Sequence, residues 1–211
     1  MTNAEREQLK QSLECAANPA RPGEGIDLST PFHWVSEEME EPVAFFHHLP
    51  GLLPTDAVLY FEGTSITPDV ARFYDQNRSR STAPVARDTI WPVPEIYHVV
   101  FSSKVCARLG ELSTRHAVQE LFDHIKAYRG NSLLFTFHDA FCGWLRIAEH
   151  IPEPLVSAFF ESLGASFHKE KTKPRDPESL RRLLGAMGGY DRARFAWQPA
   201  MKRLWRRWTG R

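Results

Sequence analysis

The stretch His138-Asp139-Ala140-Phe141-Cys142 sets an imidazole, a carboxylate and a thiol within five residues. Those are the side chains of a thiolate nucleophile, its base and the acid that orients the base. The five residues fall in a short turn between two apolar runs, however, and a turn is a poor rigid platform for such a set. A second candidate is residues 61–69, FEGTSITPD, which lead from an apolar strand into a helix start. Backbone N–H groups and the helix dipole can hold an anion at such a junction. Glu62, Gly63, Thr64 and Ser65 would then line a crevice with a strand histidine such as His98, and the protein would be a small enzyme. The loop lacks the GK[ST] of a phosphate-binding loop, and Glu62 repels phosphate.

Nine histidines invite a search for metal ligands. No HExxH, HxH or helical HxxxH pair occurs. His47 and His48 are adjacent, which is not a ligand spacing. His138-Asp139 and Glu149-His150 close successive strands of a hairpin, so they belong to opposite ends of it. His98 and His168 fall on strands that the expected sheet brings near each other. A lone histidine is more often a hydrogen-bonded structural residue, so neither a metal nor a cofactor is expected. GxSxG and GxGxxG are also absent.

The third candidate is the C-terminal stretch KRLWRRWTGR. At 100° per residue, Trp197, Met201, Leu204, Trp205 and Trp208 share an arc of about 100°, with Lys202, Arg203, Arg206 and Arg207 opposite. Seven basic residues and no acid lie between Arg192 and Arg211. A basic amphipathic helix with aromatic anchors suits an acidic protein groove, nucleic acid or an anionic membrane surface. Pro199 begins it, which leaves roughly 15 Å of helix, marginal on its own in water. The plainer reading docks the tryptophans on the domain and leaves the arginines solvated.

Clear strand and helix signals begin at Ala57. Residues 57–63 read as a buried strand, and Thr67, Pro68 and Asp69 as a helix start. Residues 95–102 read as a strand and 102–112 as a short helix. The best helical stripe runs over 114–128, with Val118, Leu121, Phe122, Ile125 and Tyr128 at i, i+3, i+4, i+7 and i+10. Residues 132–138 and 144–150 make a strand pair, 152–163 a helix ended by Gly164, and 165–172 an edge strand with outward lysines. Residues 95–172 therefore spell β-α-β-β-α-β, the split βαβ (ferredoxin-like) order of an α+β domain with helices on one face. The expected organisation is an irregular N-terminal extension over 1–56, an α+β core over 57–172, and a basic helical extension over 173–211. The prolines at 31, 42, 50 and 54 are the reason for treating 26–56 as irregular.

Composition narrows the function. The N-terminus is polar where a signal peptide needs an apolar core, and no apolar run approaches the ~20 residues that span a bilayer. Three widely spaced cysteines without CxxC fit reduced thiols in the cytoplasm. The net charge of zero hides a split: residues 171–211 carry twelve Lys or Arg against three acids, +9, and residues 1–170 carry −9. The expected function is a non-catalytic binding module whose contact is Lys202, Arg203, Trp205, Arg206, Arg207 and Trp208. Its partner would be an acidic protein or nucleic acid. The small enzyme and a peripheral membrane protein are the alternatives.

Overall fold

The computed structural model describes residues 25–172 apart from 29, 38, 90 and 91. The chain divides into a unit over 1–172 and a second over 173–211, and the second lies outside the described residues. So do the expected basic helix and its six contact residues.

The described residues form a mixed α+β domain around one antiparallel sheet. In chain order the elements are β1 (Phe32–Ser36), α1 (Pro42–Leu52), β2 (Val58–Gly63), α2 (Pro68–Gln76), β3 (Glu95–Val100), α3 (Ser103–Ser113), α4 (Val118–Leu121), β4 (His124–Arg129), β5 (Ser132–Phe137), β6 (Leu145–Ala148), α5 (Glu153–Leu163) and β7 (His168–Lys171). The sheet order is β3-β2-β4-β5-β6-β1-β7. Every neighbouring pair is antiparallel.

Three expectations change. Residues 26–56 are not irregular, because they hold β1 and α1. Pro42 starts α1 where its missing N–H costs nothing, and Pro50 falls in the last turn. The helix expected over 114–128 is only the four residues of α4. Phe122 is fully extended, with φ −169° and ψ 158°, and Asp123 N–H then donates to the Glu62 carbonyl at 2.8 Å, which starts β4 beside β2. The split βαβ order is accordingly absent: β2 lies between β3 and β4, and β1 lies between β6 and β7. His98 and His168 therefore sit on opposite edge strands.

One sheet face carries the main core. Leu59 and Phe61 of β2, Ile125 and Ala127 of β4, and Phe135 and Phe137 of β5 meet Phe45 and Phe46 of α1, Leu109 of α3 and Phe159 and Phe160 of α5. Phe45 alone has edge-on contacts with Phe46, Phe135, Phe141 and Phe159 at centroid distances of 5.3 to 6.1 Å. Among the described residues no helix carries the second face. Residues 25–28 and the long loop after α2 cover it, and Ile26, Val85, Tyr60, Tyr128 and Leu133 form a small apolar cluster there. Ile26 and Val85 pair as a parallel bridge. No helix among the described residues is long and apolar enough to cross a membrane.

Candidate functional site

Side chains alternate along a strand, so β2 and β4 send Tyr60, Glu62, His124 and Lys126 to the loop-covered face. Register makes them neighbours: Tyr60 opposes Lys126 and Glu62 opposes His124. The Tyr60–Lys126 row continues to His98 on one side and to Thr136 and Arg146 on the other. A polar floor thus runs across the sheet. Glu62 is 0% exposed and Lys126 1%.

Burial of that many polar groups demands partners, and the loop supplies them. Glu62 accepts from the Tyr60 hydroxyl at 3.0 Å, from the Asp88 N–H at 3.1 Å and from the Thr89 N–H. Lys126 Nζ donates to the Ala86 carbonyl at 2.5 Å and pairs with Asp88 Oδ2 at 2.9 Å. Residues 86–89 are therefore pinned to the floor by one buried carboxylate and one buried ammonium. Burial, and then the Glu62 charge, push the Tyr60 hydroxyl far above the ordinary phenol range, so it remains a donor. His98 Nδ1 lies 2.8 Å from the Tyr128 hydroxyl, and burial pushes this imidazole down to about 4.

The alternative site set is brought together only in part. Glu62 and His98 share a face with Tyr60 between them, but Thr64 and Ser65 are exposed beyond the strand end. Thr64 gives both its N–H and its hydroxyl to Asp123 Oδ2 at 2.8 Å, a tie between the ends of β2 and β4. Gly63 has a packing reason: a Cβ there would stand 2.7 Å from Ile66 Cγ1 and 3.2 Å from Phe122 Cα. It is a contact glycine, with the helix-start loop folded against it.

A set of groups that the sequence reading did not unite lies at the end of the floor. His124 of β4 stands beside His138, which follows β5, with ring centroids 4.6 Å apart. Asp139 joins them: Oδ2 is 3.1 Å from His138 Nδ1 and Oδ1 is 3.7 Å from His124 Nδ1. His124 Nδ1 also accepts the Asp139 N–H at 2.9 Å. Trp144 stacks on His138 with 16° between planes and 5.1 Å between centroids, and the Arg146 guanidinium covers Trp144 at 3.7 Å. Burial lowers the His124 imidazole's proton affinity, while the Glu62 and Asp88 charges oppose that shift.

The turn over 138–144 is tightly determined. The Asp139 carbonyl accepts from Cys142 N–H at 2.8 Å and Gly143 N–H at 2.7 Å, and Ala140 N–H donates to the Asp123 carbonyl at 2.9 Å. Asp139 and Phe141 adopt φ of 43° and 66°, left-handed conformations that a side chain resists. Gly143 is required because a Cβ would lie 2.2 Å from the His138 carbonyl oxygen. Cys142 is exposed, and His138 turns to Asp139 and Trp144. Cys106 is buried in the core, which pushes its thiol up to about 12.

The signal for His124 was present but hidden. In HIKAYR the alternation is His, Lys, Tyr against Ile, Ala, and it reads as a strand only if the polar face is also buried. Comparison with known proteins adds no assignment: no family model, curated protein or solved structure matches this chain.

Proposed function

We propose that the chain is a cytosolic, non-catalytic binding module. It engages an anionic partner, an acidic protein surface or a nucleic acid, through Lys202, Arg203, Trp205, Arg206, Arg207 and Trp208. The observation that carries this reading is the charge partition, +9 over residues 171–211 against −9 over residues 1–170. Arginines at 203, 206 and 207 offer bidentate contacts to carboxylate or phosphate, and the tryptophans offer faces for stacking or grooves to fill. The groups inside the domain favour binding over catalysis. Glu62, which the enzymatic alternative places in its crevice, spends its oxygens on Tyr60, Asp88 and Thr89 beneath a loop. A carboxylate so engaged is poorly placed to take a substrate proton.

The test is fluorescence anisotropy of the full chain with a labelled single-stranded oligonucleotide and a labelled acidic peptide, and co-sedimentation with anionic vesicles as a third arm. R203E/R206E/R207E is expected to weaken binding of whichever soluble probe is engaged. If the oligonucleotide is engaged, the slope of log affinity against log salt falls by roughly 2, at about 0.7 per lost phosphate contact. Unchanged binding by the triple variant overturns the reading. Binding confined to the vesicles replaces it with peripheral membrane association.

A further inference from the structure

The geometry points to a divalent transition-metal site formed by His124, His138 and Asp139, open on one side to solvent. The three residues offer donor atoms that all lie within 4.8 Å of one another. Two of the separations carry the argument. A first-row ion takes imidazole nitrogen and carboxylate oxygen at about 2.0–2.2 Å, so adjacent donors around it stand roughly 3.0–3.5 Å apart. Asp139 Oδ2 and His138 Nδ1 are already 3.1 Å apart, and Asp139 Oδ1 and His124 Nδ1 are 3.7 Å apart. Small side-chain rotations bring both into coordination range.

The set is also pre-organised, which an adventitious pair of surface histidines is not. His124 lies on a central strand and is 5% exposed. Stacking on Trp144 sets the plane of His138, and two hydrogen bonds to its carbonyl and its own left-handed φ fix the backbone of Asp139. Both imidazoles present Nδ1 to Asp139, so each ligates through Nδ1 and keeps its Nε2 proton. With the Asp139 backbone fixed, the His124 ring turns so that Nδ1 leaves the Asp139 N–H, 2.9 Å away, and faces the ion. The donors are two nitrogens and one oxygen, borderline in softness. That set suits Zn²⁺, Co²⁺, Ni²⁺ or Fe²⁺ rather than Mg²⁺ or Ca²⁺, which require mostly oxygen. Three protein ligands leave a position for water or a ligand group. Glu62, the register partner of His124, and Asp88 add negative charge behind the site, partly offset by Lys126.

Titration of the full chain with Co²⁺, read by visible absorption and reversed by Zn²⁺, tests the site. One ion per chain is expected, with two paramagnetically shifted imidazole Nε2–H proton resonances and no thiolate charge-transfer band. H138A and D139N should each weaken binding at least tenfold. Asp139 is 61% exposed at its side chain and His138 34%, so these variants are expected to keep the metal-free unfolding midpoint of the parent. H47A/H48A, a change at exposed or half-exposed histidines of α1, should leave affinity within twofold. Equal Co²⁺ affinity in H138A and D139N, loss of binding in H47A/H48A, or no saturable binding by the full chain would overturn the assignment.

Discussion

Replacing Lys126 by methionine tests whether the polar floor is structural. The side chain is 1% exposed, so methionine occupies nearly the same volume without the charge. It removes the hydrogen bond to the Ala86 carbonyl and the cation beside Asp88, whose side chain is 9% exposed. Removing one partner of a buried ion pair costs about 3–5 kcal/mol, chiefly because the other charge stays behind in a poorly solvated place. For a domain of this size each kcal/mol moves the midpoint by about 2–4 °C, so K126M is expected to melt roughly 6–20 °C lower. D88N should recover part of that loss. The double variant K126M/D88N would then be more stable than additivity of the two single changes allows, by about 1–3 kcal/mol. The assay is urea and thermal unfolding of all four chains, followed by circular dichroism and by tryptophan fluorescence. A single-variant loss below about 1 kcal/mol, or an additive cycle, would mean that the buried Lys126–Asp88 pair does not hold the loop to the sheet.

Three further outcomes follow from named contacts. E62Q turns one acceptor oxygen into a donor facing N–H groups, so it should cost about 2–3 kcal/mol, and the Asp88 and Thr89 amides should lose hydrogen-exchange protection. His98 holds fewer protons folded, at about 4, than unfolded, near 6.5. Its contribution is thus complete above pH 6.5 and is lost as pH falls towards 4. Up to about 3 kcal/mol of acid sensitivity should disappear in H98Q, as measured by stability against pH. G143A drives a methyl into the His138 carbonyl oxygen at 2.2 Å and should cost about 1–3 kcal/mol while displacing the His138 and Asp139 resonances.

What the sequence disclosed depended on whether one face or both faces of an element were buried. α5 was plain because Val156, Phe159 and Phe160 make a one-sided stripe between a proline start and Gly164. β2 was plain because it is almost wholly apolar and ends in glycine. β4 reads as the end of a helix because Ile125 and Tyr128 continue the spacing of Val118 and Leu121, yet five of its six residues are buried. The stripe of Val118, Leu121, Phe122, Ile125 and Tyr128 spans a helical turn, an extended residue and a strand, and its helical spacing is coincidental. That spacing hides the meeting of His124 with His138, since His124 on a helix has no reason to approach it. β1, Phe32–Ser36, is hidden in the sequence by prolines that lie outside the strand or at a helix start. Glu62 stands out by its position at a strand end, but its loop partners are not legible in the sequence. They come from residues 88 and 89, about 26 positions away, across a loop without periodicity.

On the proposed function, recognition resides in the basic C-terminal residues rather than in the body of the domain. The most direct measurement compares the full chain with a chain ending at Gln198 for binding of the labelled oligonucleotide and the acidic peptide at low and moderate salt. The full chain is expected to bind one of them in a salt-sensitive manner, and the shortened chain to lose at least tenfold in affinity for it. Equal affinity of the two chains for both probes would contradict the proposed function.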